Sequence, residues 1–367
     1  MTNLTQKCSK LFFCAAIRVV TLALVLVVFG ASAALAQNRG YVTNQNDNTV
    51  SVINTATNTV VAIVPVGANP QGVAVTPNGA FAYVANLLDS TVSVISGATN
   101  TVVATVPVGL NPFSVAVTPN GAFAYVGDIG DGTVRVISTA TNTVTATIPT
   151  GTFAFSIAIT PNGAFAYVAG LFSLAIAVIN TATNTVVATV LDAGGPAGIA
   201  ITPNGAFAYV AEIDSPNVTV IDTAINAVVA FVPVGFQTVG LAITPNGAFA
   251  YVTSFNEATV SVINTATNTI VATVPVGSGP FGIAITPNGA FAYVANSISN
   301  TVSVISTANN MVTATMPVGS GPQFIAFPVG TNGPTNADQC RNGGWRTFTN
   351  PTFKNQGECI SFVNHLN

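Results

Sequence analysis

The sequence predicts an all-β fold, a seven-bladed β-propeller of four-stranded antiparallel blades, and three observations predict it. The phrase Thr-Pro-Asn-Gly-Ala-Phe-Ala-Tyr-Val occurs six times, beginning at Thr76, Thr118, Thr160, Thr202, Thr244 and Thr286, with 42 residues from each start to the next. A fixed period of this length marks a repeat architecture. Each period holds four short runs rich in β-branched and aromatic residues, separated by turn residues and without helical spacing. A seventh Tyr-Val pair, Tyr41-Val42, stands one period ahead of Tyr83-Val84 with no full phrase before it.

One unit shows how the four strands arise. Gly72–Thr76 is a short strand, a, and Pro77-Asn78-Gly79 is its turn, with Asn-Gly supplying the positive φ a tight hairpin needs. Phe81–Asn86 is strand b, Thr91–Ile95 strand c, and Thr101–Val108 strand d, with a polar turn at 96–100. The connections are too short for crossover helices, so the blade is an antiparallel meander. The chain enters at a strand b containing Tyr41-Val42 and continues through c at Thr49–Ile53 and d at Thr59–Val66. A last a-type strand, Gln323–Phe327, follows the sixth full unit. It fits the missing inner strand of the first blade, so both chain ends build one blade and close the ring.

Packing and edge chemistry agree with this assignment. In Phe81-Ala82-Tyr83-Val84 the two rings share one face and the small residues share the other, so a bulky face can nest on a small one in the next blade. Strand d carries Pro at 65, 107, 149, 233, 275 and 317, with Leu191 in the remaining blade. Proline is tolerated on an edge strand, so d is outermost. Only 5% of the residues are charged, 50% are hydrophobic, and the mean hydropathy is +0.61. Those values suit sheets buried on both faces. After residue 36 no apolar run is long enough to span a membrane as a helix.

Residues 1–36 read as a secretory signal peptide. Lys7, Lys10 and Arg18 precede an apolar stretch from Val19 to Val28, and Ala34-Leu35-Ala36 is an A-x-A site. An uncleaved anchor helix is the alternative. The absence of Cys just after the site argues against a lipoprotein. Export implies an extracellular, cell-surface or periplasmic location. The mature chain keeps five Lys/Arg against eleven Asp/Glu, a net charge of −6, which argues against nucleic acid as a partner. The domains are then 1–36, the propeller at 37–330, and a C-terminal module at 331–367. That module holds Cys340 and Cys359, expected as a disulfide in an exported protein, together with Trp345, Arg341 and Arg346. It reads either as a stapled cap on one end of the ring or as an attachment module.

The Tyr41-Val42-Thr43-Asn44 segment and the Thr-Pro-Asn-Gly…Tyr-Val units resemble the YVTN-repeat β-propeller family over about residues 38–330. The resemblance implies a seven-bladed propeller in an exported or surface-layer-like protein. Relatives are often labelled lactonase-like, but no catalytic residue carries over. The tail resembles a small Cys-bounded module found at the ends of exported bacterial proteins.

A meander places the a–b and c–d turns on one face of the disc and the b–c and d–a loops on the other. The first face is nearly identical in every blade and uncharged. The second differs in every blade, and eight of the eleven mature acids fall on it: Asp47, Asp89, Asp128, Asp131, Asp192, Glu212, Asp214 and Glu257. Loops on a rigid scaffold carry binding function, so these residues are the candidate ligand-binding set. The bland alternative is that they supply solubility.

Gly127-Asp-Ile-Gly-Asp-Gly132 makes Asp128 and Asp131 the candidate ligands for Ca²⁺, although two side chains fall short of the six to eight oxygens it takes, and Arg135 stands nearby. Gly277–Gly282 matches G-x-G-x-x-G but opens a strand and contains Pro, so it is not a dinucleotide loop. The only His is His365, which leaves the propeller without a Ser-His-Asp triad or a multi-His metal centre. No cofactor is expected beyond the Ca²⁺ candidate. The favoured expectation is a monomeric, non-catalytic exported binding or cell-surface protein whose partner is a protein or a surface glycan. A lactonase-like propeller hydrolase with an axial carboxylate or cation site, and a structural surface-layer component, are the alternatives.

Overall fold

A computed structural model describes residues 38–192, 194–328, 355–358 and 360. The signal-peptide segment, Cys340, Cys359 and the C-terminal module apart from 355–358 and 360 lie outside these residues. Seven four-stranded antiparallel sheets form a ring. Blade 1 takes its inner strand from Pro322–Ala326 and its outer three from Arg39–Asn44, Thr49–Asn54 and Thr59–Pro65. Blade 2 is Pro70–Val75, Phe81–Asn86, Thr91–Ser96 and Thr101–Pro107, and blades 3 to 7 repeat it. Strand a begins at Pro70, two residues before the expected Gly72, because a register shift between Pro70 and Val73 lets it pair back to Asn86.

The a–b turn is built differently from the expected Asn-Gly hairpin. Gly79 alone takes positive φ, at 70°, and its N–H donates to Thr76 O at 2.8 Å. That is a type I turn with Pro77 in the position that favours it and Gly79 at the end. The Thr76 hydroxyl accepts the Phe81 N–H at 3.0 Å, and the Asn78 side chain accepts the Ala80 N–H at 3.0 Å. Thr76, Asn78 and Gly79 each take part in a hydrogen bond that closes the turn.

Each blade nests its tyrosine on the small face of the next. Tyr41 packs with Ala82 and Val84, Tyr83 with Ala124 and Val126, and so on around the disc. The ring closes where Tyr293 meets Val42, Ile53, Ile325 and Phe327. There Gly40 stands where the other blades have Ala, and a Cβ at Gly40 would overlap the Phe327 ring. All seven tyrosines are buried, whereas the phenylalanine two residues before each is partly exposed where it is present.

The tyrosine hydroxyls explain the second monotonous turn. Tyr83, Tyr125, Tyr167, Tyr209, Tyr251 and Tyr293 donate to Asn142, Asn184, Asn226, Asn268, Asn310 and Asn58, at 2.6–2.8 Å. Every one of these asparagines ends a c–d turn with φ between 51° and 55°. Asparagine tolerates that left-handed conformation and supplies the acceptor a buried phenol needs. Burial raises the Tyr83 phenol to about 12. Blade 1 departs from the rule, because the Arg39 guanidinium donates to Asn100 Oδ1 at 2.9 Å and to Gly97 O.

Candidate functional site

The repeated face is occupied by these turn and tyrosine networks. The variable face is where side chains differ, and the first question is where its eight acids go. Asp89 accepts the Ala68 N–H at 2.7 Å, Asp47 the Ser320 N–H at 2.6 Å, and Asp131 the Leu110 N–H at 3.4 Å. These three occupy the same rank in successive b–c loops, and each holds down the d–a loop that leads into its own blade. Glu257, at the same rank in blade 6, lies against Gly235, and Asp214 lies against Gly195. Asp47, Asp89 and Glu257 thus sit at separate blades.

Two pairs are brought together. Asp128 and Asp131 share Arg135, whose Nε is 3.4 Å from Asp128 and whose Nη2 is 3.1 Å from Asp131. Asp192 and Glu212 meet, both buried, between blades 4 and 5. The Asp128 and Asp131 carboxylates face a guanidinium, which is not the oxygen cage Ca²⁺ requires. Among the described residues no group of three or more His, Cys, Asp or Glu is placed to hold a metal ion.

Asp128 belongs to a cross-strand position that the chain varies in matched pairs. Asn44, Asn86 and Asn296 each donate to a serine seven residues on, Ser51, Ser93 and Ser303, at 2.9 Å. In blade 3 the pair is Asp128 with Arg135, in blade 4 Gly170 with Ala177, and in blade 5 Glu212 with Thr219. Blade 6 has Ser254 with Ser261. The buried Oδ1 atoms of Asn44, Asn86, Asn296 and Asp128 and the Ser254 hydroxyl find no partner, so the matching is incomplete at a site where an unmatched polar group is costly.

Burial, followed by the Asp131 charge, raises the Asp128 carboxyl to about 7, with Arg135 and Thr133 opposing. The folded protein therefore holds a proton that the unfolded chain releases. That stabilisation is complete below about pH 4 and fades as pH rises to about 7. Arg135→Ser removes the counter-charge and is expected to cost about 1–3 kcal/mol, more at high pH than at low. The double variant Asp128→Asn, Arg135→Ser restores the pair of blades 1, 2 and 7 and is expected to melt at or above wild type. Urea titrations at acid and alkaline pH check both, and a pH-independent cost for Arg135→Ser would refute the counter-charge role.

The centre of the variable face is apolar. Phe113, Phe155, Phe281 and Phe324, from the inner strands of blades 3, 4, 7 and 1, converge on the axis. Phe113 stacks on Phe155 with centroids 4.3 Å apart and meets Phe324 edge-on at 5.7 Å, and Phe281 meets Phe324 at 5.3 Å. Around them Leu88, Leu110, Phe153, Phe172, Phe236 and Ile298 stand exposed on the b–c and d–a loops. A reading of the sequence by charge misses this surface. The available signal was aromatic residues at one rank of strand a, 113, 155 and 281, but Phe324 breaks that rank by one residue.

Fold and site together define a seven-bladed β-propeller with one nearly uniform structural face and one variable face with aromatic rings at its centre. A family model described as YNCE-like beta-propeller matches residues 8–126. That match and the seven-bladed ring agree with the YVTN-repeat propellers that the motifs resemble. Among solved structures, hydrazine synthase of Kuenenia stuttgartiensis is 25% identical with a TM-score of 0.70, over 75% of this chain and 94% of that one. A functionally unknown protein from Desulfotomaculum acetoxidans is 20% identical with a TM-score of 0.70, over 79% of this chain and 98% of that one. The dihydro-heme d1 dehydrogenase NirN in complex with DHE is 15% identical with a TM-score of 0.61, over 80% and 76%. No curated protein matches the chain.

Proposed function

We propose that this chain is an exported, non-catalytic binding protein that presents the variable face of its propeller to a partner protein. The observation that carries the reading is the exposed apolar surface on that face, formed by Leu88, Phe172, Phe236 and Ile298 around the axial phenylalanines. Exposed aromatic and aliphatic side chains on a rigid frame are the material of protein interfaces. Chain direction supports it. Strand b starts and strand a ends on the repeated face, so the described chain enters at Asn38 and leaves at Pro328 on the side opposite the loops.

Export rests on the A-x-A segment before Gln37, and among the described residues no helix is long and apolar enough to cross a membrane. The lactonase-like alternative would draw on carboxylates at the axis, and the phenylalanine rings there support the binding reading over it. A photo-crosslinking residue placed at Phe172 or Phe236 is expected to trap a protein in intact cells, and one placed at Asn120 on the repeated face to trap none. Adducts at Asn120 alone, or at no position, would refute the reading.

A surface-layer role draws on a different observation. The outer strands expose Val61, Ile63, Leu191, Val229 and Phe231 along an uncharged rim. Lateral packing of rims would appear in sedimentation as concentration-dependent association that Phe231→Ser weakens, and a concentration-independent monomer would exclude it.

A further inference from the structure

Blade 5 and its junction with blade 4 break the repeat in four places at once. Where other blades have Pro at the end of strand d, blade 4 has Leu191, and the next residue is Asp192 where the rest have Val or Thr. Strand b of blade 5 ends in Glu212, where three blades have Asn. Strand d of blade 5 carries Phe231, where most blades have Thr. All four residues line one cavity of about 460 Å³, with Val228 completing its apolar wall.

Among the described residues no basic side chain is paired with the two carboxyls in this cavity. Asp192 is 5% exposed and Glu212 is 2% exposed. Asp192 Oδ1 accepts the Gly194 N–H at 3.0 Å, but its Oδ2 is buried without a hydrogen-bond partner. Glu212 Oε1 accepts the Thr219 hydroxyl. Among the described residues the only basic side chains are Arg39 and Arg135, and Arg39 bonds in blade 2 and Arg135 in blade 3. Two adjacent buried carboxylates cannot both stay charged without compensation, so the pair must hold either a shared proton or a positive ligand.

We propose that this cavity is a binding site for a primary alkylammonium group, such as an amine or a lysine side chain, with the ammonium between Asp192 and Glu212 and the alkyl stem along Leu191, Val228 and Phe231. Counting donors selects the organic cation over a metal ion. The pair has few acceptor oxygens left after Gly194 and Thr219 are satisfied, which suits the donors of an ammonium and falls short of the six to eight oxygens of Ca²⁺. A long apolar wall beside the carboxyls gains nothing for a metal ion but buries the methylenes of an alkylamine, at about 0.8 kcal/mol each. Burial pushes the Glu212 carboxyl up to about 7, with Ser215 opposing and Asp192 adding to the rise. The groups facing Glu212 are Asp192 from the d–a loop and Ser215 from its own b–c loop, with Asp214 against the neighbouring Gly195. Binding therefore displaces a proton and strengthens as pH rises through about 7.

The test is calorimetric titration of the mature chain with n-butylammonium chloride. One site is expected, with affinity about tenfold higher near pH 8 than near pH 6, and with heats that depend on the buffer's own ionisation. Asp192→Asn and Glu212→Gln are each expected to lose about tenfold or more in affinity while melting at or above wild type near pH 8, because each removes a buried charge. Asp222→Asn, at a c–d turn on the repeated face, is expected to bind as wild type. No saturable heat with wild type, equal affinity in the two cavity variants, or Ca²⁺ competing for the same site would overturn the proposal. A variant that melts lower and also loses binding would be replaced by Phe231→Ser, which leaves both carboxyls in place and must weaken n-butylammonium more than methylammonium.

Discussion

A chain ending at Gly321 is expected to lose cooperative unfolding, while one ending at Pro328 keeps it. The difference is a single strand. Pro322–Ala326 pairs with Arg39–Asn44 through Tyr41↔Ala326 and Val42↔Ile325, and the Thr43 hydroxyl accepts the Phe324 N–H at 3.1 Å. Ile325 and Phe327 are buried, and the Phe327 ring stands 5.1 Å from Tyr293 across the last interface of the ring. Removing Phe324, Ile325 and Phe327 withdraws roughly 5–8 kcal/mol of apolar burial, comparable to the whole net stability of a domain. It also uncovers the inner edge of blade 1, a template for aggregation. Circular-dichroism melting and size-exclusion chromatography of the two chains decide it. A sharp transition in the shorter chain, within a few degrees of the longer, would show that six complete blades and a three-stranded remnant suffice.

The second large effect concerns the tyrosine of any blade interface, here Tyr167. Tyr167→Ala empties a fully buried site between blades 4 and 5 and is expected to cost about 3–5 kcal/mol. Tyr167→Phe keeps the packing and deletes the donor to Asn226 Oδ1, now 2.6 Å away, for about 1–2 kcal/mol. Blade 1 supplies an internal control. Arg39 already donates to Asn100, and the Tyr41 hydroxyl meets Arg39 instead; Tyr41→Phe leaves that guanidinium its Asn100 and Gly97 acceptors, so it is expected to cost less than Tyr167→Phe. Urea midpoints of the three variants measure this, and an equal cost for Tyr41→Phe and Tyr167→Phe would rule out the hydroxyl–asparagine bond as the source.

The repeated residues were legible because each performs the same local task in every copy. Strand b was placed to the residue at Phe81–Asn86, and the orphan Gln323–Phe327 identified the closing blade one residue from its observed start. The Asn of the c–d turn was legible as a turn residue but not as the tyrosine's acceptor, since its partner lies 59 residues earlier. The candidate site was legible only in part. Its acids stand in the b–c and d–a loops or at the strand ends beside them. Their destinations depended on neighbouring loops: a backbone N–H for Asp89, a guanidinium for Asp128, another carboxyl for Glu212. The axial phenylalanines were missed because they come from blades far apart in sequence.

By itself the sequence determined the blade, the blade count and the closure, because a 42-residue period with two-residue alternation admits one stacking of bulky on small faces. Only the tertiary structure decided which acids meet and what stands on the axis. Those contacts join residues from different blades, and their energies depend on distance and burial that no local pattern encodes.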